Sequence, residues 1–232
     1  MPLSATCLAC CRPGWRRTRH EVCRETRRGA SREGGAVNIP LFPLDAVLFP
    51  KGAIMLQIFE QRYISMISQC LRQDAGFGIC LGKGREGKGA DGMHGVGTYA
   101  RIFDWEQLDS GLLGIRCRGE RRFTIMSRTR RQDGLNEAEV RWRPEKPCAE
   151  SPPILRACVD YLQRRSGREN LPFSLDDEEA TADPHWVSYR LAELLPLTVK
   201  SRQTVLEMDD APLRLKTLFA VVQTLDSGDQ PS

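Results

Sequence analysis

Short apolar runs with the spacing of β-strands occupy the chain from residue 37 to about residue 142. Between Ile115 and Arg118 apolar and basic residues alternate, which is the period-two pattern of a sheet with one buried face. Residues 77–81 are continuously apolar, which predicts a strand buried on both sides. The pattern as a whole predicts strands at residues 41–44, 47–50, 54–58, 77–81, 98–103, 112–117, 122–127 and 138–142.

Helical periodicity interrupts the strands once and then takes over after residue 143. Apolar residues recur at helical spacing between Glu60 and Asp74, and we expect Gly76 to end this helix in a left-handed conformation. The acidic run at residues 176–179 is expected to be a solvated loop. Starting signals for four further helices stand at Ser151, Asp183, Thr198 and Asp210.

This order of elements predicts an α+β fold. Many short strands with a single helix favour a small closed or nearly closed β-barrel, and the later segments favour a bundle of three or four helices packed beside it. We interpret the proline-containing stretch 143–147 as a hinge. The predicted domains are therefore a barrel at residues 37–143 and a helical bundle at residues 144–228.

The basic charge of the protein is concentrated before this region. Residues 1–36 hold eight arginines and three glutamates, whereas the rest of the chain has 26 basic and 27 acidic residues. The segment lacks hydrophobic periodicity, so we expect a disordered basic tail. Val37 directly precedes the first patterned residues, and valine codons serve as bacterial start codons. We hypothesise that the tail is a translation artefact, and peptides upstream of Val37 in a mass spectrum of the native protein would refute this.

Cysteine usage and hydropathy indicate a compartment. No run of about 18 apolar residues occurs, so the sequence predicts no membrane span. Of nine cysteines, four lie in the tail and the others are scattered, mostly at apolar positions of predicted elements, where a free cysteine acts as a small hydrophobe. Because no secretory signal precedes them, we predict a reducing, cytoplasmic location.

Motifs that carry chemistry are weak in this chain. Residues 82–89 nearly spell a phosphate-binding loop, but Gly89 stands where a magnesium-binding Ser or Thr is needed and no helix start follows. Cys7, Cys10, His20 and Cys23 lack the hairpin or helix context of a zinc site. His185 is expected to be a surface imidazole. The sequence therefore predicts no catalytic residues, no metal and no cofactor.

A basic segment raises the alternative of RNA binding. Residues 116–143 hold nine arginines and four acidic residues, and strand alternation is expected to place Arg116, Arg118 and Arg122 on one outward face. A positive stripe supplies sequence-independent affinity for phosphates, although a solvated sheet face is the simpler interpretation. Stacking partners in the stretch are limited to Phe123 and Trp142.

Several motifs, in order along the chain, resemble the Lon substrate-binding (LON) domain. The first is PLFPL at residues 40–44, with VLFP at 47–50 and LxIFExRY at 56–63. VGTxARI at 96–102 and LLGIxCxGERRF at 112–123 continue the series. WxxYRLAELLP at 186–196 is similar to the helical half of stand-alone members. The resemblance covers about residues 37–226.

The resemblance implies a PUA-like β-barrel with one helix, followed by a helical bundle. It also implies a non-catalytic module that binds unfolded or degron-bearing polypeptides, as an adaptor or regulator of proteolysis, with a protease as a further partner. Structural roles are sufficient for most of the motif residues, and Phe42, Phe49 and Phe59 are expected to supply core. The predicted peptide-binding residues are Phe49, Glu60, Arg62, Tyr63, Arg118 and Arg122, and the cleft between barrel and helices is the rival site.

Overall fold

The structure, a computed structural model, describes residues 36–82, 93–148, 151–167 and 171–228. The strands are β1 (Val37–Leu44), β2 (Ala53–Ile58), β3 (Phe77–Gly82), β4 (Met93–Gln107), β5 (Leu113–Arg130) and β6 (Asn136–Arg143), with helix α1 (Gln61–Gln73) between β2 and β3. The later helices are α2 (Ile154–Ser166), α3 (Glu178–Ala182), α4 (Pro184–Leu194), α5 (Val199–Glu207) and α6 (Ala211–Gly228). The predicted mixed α and β class is confirmed. The predicted tail, except Ala36, and the glycine-rich residues 83–89 lie outside the described residues.

The strand pairings follow one another in a closed circuit. β1 pairs in parallel with β3, and the antiparallel pairs β3–β4, β4–β5, β5–β6 and β6–β1 complete it. With 18 residues, β5 is long enough to pair with β2 along its first half and with β6 along its second. Two separate strands were predicted here, at 112–117 and 122–127. They are one strand because an extra residue, Glu120, forms a bulge that bends β5 without ending it.

The sheet is buried on both faces along β3, as the continuous apolar run at 77–81 predicted. Leu41, Cys80 and Phe123 belong to one apolar cluster on one face of the sheet. Residues whose side chains point to the other face join a second cluster, which packs under α1. Two glycines allow the Phe123 ring to pack this closely against the sheet. A Cβ atom at Gly78 would lie 2.7 Å from the ring, and one at Gly97 would lie 2.6 Å from it. The run at 47–50 is not a strand, although Leu48 and Phe49 in it are buried.

Helix α1 lies where the periodicity predicted it, but its end differs. Asp74, with φ 48° and ψ 43°, takes the left-handed position that was expected of Gly76. Gly76 is required for space instead, because a Cβ atom there would overlap the carbonyl oxygen of Ala100. Phe59, predicted to be core, precedes the helix and is 38% exposed.

Three helix starts of the C-terminal half follow the capping signals in the sequence, whereas α2 begins after Pro153 with no side-chain cap, so Ser151 does not cap it. The side chains of Asp183, Thr198 and Asp210 each accept a hydrogen bond from a backbone N–H in the first turn of α4, α5 and α6. The loop expected at 176–179 is partly helical, because the Asp177 side chain caps the short helix α3 in the same way. Helices α2, α4, α5 and α6 share one apolar cluster, which also contains Phe49 and Val96 from the first half. None of the helices in the described ranges has the length and apolar content needed to cross a bilayer.

Candidate functional site

A groove of about 440 Å³ opens beside Ala75 and Gly76, just before β3. Pairing between β1 and β3 starts only at Leu41, so none of the described strands lies beside residues 37–40 of β1 on that side. These residues form one wall of the groove, α1 contributes Gln69 and Gln73 to another, and Tyr99 of β4 lies among the remaining lining residues. The volume is within the usual range of protein ligand pockets, about 300–1,000 Å³.

The groove has an ordered aromatic wall. The N–H of Gly76 donates to the Tyr99 hydroxyl at 2.6 Å, and the ring of Tyr99 meets that of Trp142 edge-on, with centroids 5.4 Å apart. The Arg121 guanidinium covers the Trp142 ring, 3.7 Å from its centroid. These contacts hold the rings in place before any ligand arrives, which lowers the entropy cost of binding.

The charges that line the groove are balanced. Three cations face three carboxylates, and apolar side chains lie between them. The charged residues are Asp74, Arg101, Glu120, Arg121, Arg131 and Glu137. Such a lining suits a ligand of mixed composition better than a polyanion, because a polyanion needs an excess of positive charge.

Three predicted peptide-binding residues stand at the start of α1, outside the lining of the groove. Glu60 pairs with Arg62 at 2.6 Å, and the Arg62 guanidinium also donates to the carbonyl oxygen of Gly134 at 2.9 Å. Tyr63 is buried and packs on Phe42, with ring centroids 4.2 Å apart. Burial raises the pKa of Tyr63, and so does Glu60, while Arg62 lowers it. Arg62 thus ties the helix to the turn before β6, and Tyr63 ties it to β1.

The other three predicted residues are dispersed. Phe49 is buried in the cluster of the C-terminal helices and stacks on Tyr189 at 5.5 Å. Arg118 is exposed and lies 5.2 Å from the centroid of Phe103. Arg122 is fully buried, so the expected outward face with Arg116 and Arg118 is wrong for this residue. The six residues are not brought together at one place.

Arg122 is buried because its face of β5, opposite Thr98 of β4, meets the C-terminal helices there. Its guanidinium donates to both carboxylate oxygens of Glu145, at 2.9 and 3.0 Å, and contacts the Asp209 carboxylate at 3.1 Å. It also donates to the carbonyl oxygens of Leu206 and Met208, at 2.8 and 3.1 Å. The Arg122 side chain thus joins β5 to the segment after β6 and to the end of α5.

Glu145 is the acceptor at the centre of this contact. Burial raises its pKa, but hydrogen bonds from His185, Arg122 and Tyr189 outweigh burial and lower the pKa to about 2. Burial lowers the pKa of His185, while its hydrogen bonds to Glu145 and to the carbonyl oxygen of Lys146 raise it, and the net shift is upward. His185 is 7% exposed, so the predicted surface imidazole is wrong. The stretch interpreted as a hinge is held by these bonds.

Two more arginines are buried and make structural hydrogen bonds, and the sequence analysis did not predict this role for either. Arg214 donates to the Ser188 hydroxyl and to the Met208 carbonyl, both at 2.7 Å, and lies 4.0 Å from the centroid of the Tyr189 ring. Arg190 donates to the Pro50 carbonyl at 2.9 Å. A signal for Arg214 existed, since it lies on the apolar stripe of a predicted helix. The groove had no such signal, because its walls come from distant parts of the chain.

Internal pairing reduces the positive charge of the basic segment. Arg122 and Arg143 both contact Asp209, and Arg131 contacts Glu137 at 3.4 Å. Arg128 donates to two backbone carbonyls of β4. The RNA-binding alternative therefore has less free charge than the sequence indicated. Within the described parts of the chain, no cluster of three or more side chains could hold a metal ion.

Known proteins resemble this chain over most of its length. The family model of the ATP-dependent protease La (LON) substrate-binding domain matches residues 38–224. The crystal structure of the Lon N-terminal domain protein from Xanthomonas campestris is 34% identical, with a TM-score of 0.65, and the match covers 79% of this chain and 98% of that one. The N-terminal domain of Mycobacterium avium complex Lon protease is 18% identical, with a TM-score of 0.61, over 81% and 98% of the two chains, and shows the fold alone.

A full-length relative sets the scale of the match. Lon protease of Escherichia coli (strain K12) is 23% identical over 194 residues, which are 81% of this chain but 25% of that protein. The chain thus spans about a quarter of this protease. The family model covers more than three quarters of the chain, and the LON motifs occur in the expected order. This protein belongs to the LON substrate-binding domain family.

Proposed function

We propose that this chain is a non-catalytic module that binds unfolded or degron-bearing polypeptides. One observation carries the proposal: the groove combines the unpaired edge of residues 37–40 with an aromatic wall and balanced charges. An extended peptide offers matching backbone groups, apolar side chains and charges of both signs. The family's description as substrate-binding supports the same function.

We further propose that the protein acts as an adaptor or regulator of proteolysis rather than as an enzyme. The family that residues 38–224 match is described as a substrate-binding domain, which supports a binding role. We also infer that the closed strand circuit is the PUA-like barrel of residues 37–143, with residues 144–228 as a helical bundle beside it. The shared cluster around Phe49 and Val96 supports a fixed contact between the two.

Titration with an unfolded protein tests the proposed function. Reduced and carboxymethylated lactalbumin serves as the probe, and folded lactalbumin as the negative control. Gln69→Trp fills the groove from an exposed position of α1, and we expect it to weaken binding at least tenfold, which corresponds to about 1.4 kcal/mol. Ser68→Trp is the matched control, since this neighbour is exposed but does not line the groove. Equal affinities of the two variants would contradict the groove as the site.

The same titration tests Arg62, one of the six residues predicted from the sequence, and the RNA alternative. Arg62→Ala weakens binding at unchanged stability if Arg62 contacts the peptide, and lowers stability without a specific loss if the residue only bridges to Gly134. A structured RNA is added as competitor at ~100 mM salt. Displacement of the unfolded protein by RNA would favour the RNA-binding function instead.

A further inference from the structure

The second half of β4 offers a strand edge that the fold does not use. β3 pairs with β4 only as far as Ala100, and from Arg101 onward β5 is the one described strand that pairs with β4. Phe103 is an extra residue in a bulge, so the regular edge runs over residues 104–107. Asp104, Trp105 and Gln107 are exposed, so the described part of the chain leaves this edge open to solvent. Unpaired N–H and C=O groups in such a row are a template for another strand.

The two faces of this edge differ in chemistry. Trp105 lies opposite the buried Ile115, so its side chain stands on the core face of the sheet, where it is 59% exposed. Asp104 and Glu106 stand on the other face, opposite Arg116 and Gly114. The Asp104 side chain is 48% exposed and 3.8 Å from Arg116, whereas Glu106 is half-buried. An incoming strand therefore meets an exposed indole on one face, and one exposed and one half-buried carboxylate on the other.

We propose that this edge binds an extended polypeptide segment by strand addition, and that the segment alternates apolar with basic residues. The inference rests on the proposed polypeptide-binding function and adds a second subsite with a sequence preference. Apolar side chains of the segment pack on Trp105, and its lysines or arginines face Asp104 and Glu106.

A second copy of the chain fits the edge poorly. When two copies of this edge pair antiparallel with the same faces together, the pairing centres on residue 104, 105 or 106. These registers place Asp104 opposite Asp104, Asp104 opposite Glu106, and Glu106 opposite Glu106, respectively. Like charges directly opposite one another destabilise a strand pair. The edge of β2, the first strand in the sheet order, is a weaker site because residues 54–58 are buried or half-buried.

Peptide binding with hydrogen exchange tests the proposal on the full chain. The probe is the labelled heptapeptide Phe-Lys-Val-Lys-Val-Lys-Phe, and the comparison peptide carries glutamate in place of lysine. At ~50 mM salt we expect the lysine peptide to bind at least fivefold more tightly and to slow amide exchange at residues 104–107. Equal binding of the two peptides, or protection confined to the groove, would overturn the proposal.

Variants separate this subsite from the groove. The double change Asp104→Lys and Glu106→Lys is expected to weaken the lysine peptide about tenfold and to strengthen the glutamate peptide. Asp109→Lys, at an exposed acid in the turn after β4, is the matched control and leaves the ratio unchanged. If unfolded lactalbumin still binds through the groove while the double variant changes neither peptide, the strand-edge proposal fails and the proposed function stands. Dimerisation that protects 104–107 without peptide would also refute the proposal.

Discussion

Replacing Arg122 by methionine removes a fully buried guanidinium while keeping most of the volume of the side chain. The change leaves Glu145, Asp209 and two carbonyl oxygens at the junction of β5 and α5 without their donor. Loss of one partner from a buried ion pair costs about 3–5 kcal/mol, because the remaining charge is desolvated and uncompensated. The side chains of Glu145 and Asp209 are 30% and 43% exposed, so water still solvates part of each carboxylate and the free-energy cost is smaller. We therefore expect a loss of about 3 kcal/mol.

Urea unfolding followed by tryptophan fluorescence measures this loss of stability. For a domain of this size it corresponds to a fall in Tm of about 6–12 °C. Arg121→Met is the matched control, because the neighbouring Arg121 is exposed and its contact with Trp142 contributes about 0.5–1 kcal/mol. Arg122→Lys keeps the charge but loses the two-pronged contact with Glu145, and should fall between the two. If Arg122→Met costs no more than Arg121→Met, the network does not stabilise the junction.

Three further predictions concern stability and reactivity. Gly78→Ala places a Cβ atom 2.7 Å from the Phe123 ring and should cost about 1–3 kcal/mol in urea unfolding, so a neutral result would contradict the packing. Glu145 has a folded pKa of about 2 against an ordinary 4.5, so its contribution, about 3 kcal/mol, is complete above pH 4.5 and lost as the pH falls towards 2. Glu145→Gln should flatten the stability profile across that window, and an unchanged profile would refute the role of this carboxylate. Burial raises the pKa of the Cys117 thiol to about 12, so in peptide mapping after brief alkylation the half-exposed Cys148 should be modified before Cys117, and the reverse order would contradict the burial.

Most of the secondary structure was predictable from local signals in the sequence. Helix starts at Asp183, Thr198 and Asp210 were predictable because an N-cap needs only its own side chain and the next turn. The position of Arg122 was not predictable in the same way. Strand alternation assigns faces only while the ladder is regular, and the bulge at Glu120 shifts the register just before Arg122.

Features made by distant segments were beyond local patterns. His185 seemed an ordinary surface residue because its partners, Glu145 and the Lys146 carbonyl, lie about 40 positions earlier in the chain. The groove was missed for the same reason, since β1, α1 and β4 meet there only after folding. The LON motifs identified the family without locating a site, because residues such as Tyr63 have sufficient structural contacts.

Binding of an unfolded protein without its cleavage tests the central claim most directly. The purified full chain is titrated with reduced and carboxymethylated lactalbumin, and the probe is then examined by mass spectrometry after prolonged incubation. We predict saturable binding that Gln69→Trp weakens and Ser68→Trp does not, with the probe recovered intact. No binding to the unfolded probe, or cleavage of it by the purified chain, would contradict a non-catalytic polypeptide-binding module.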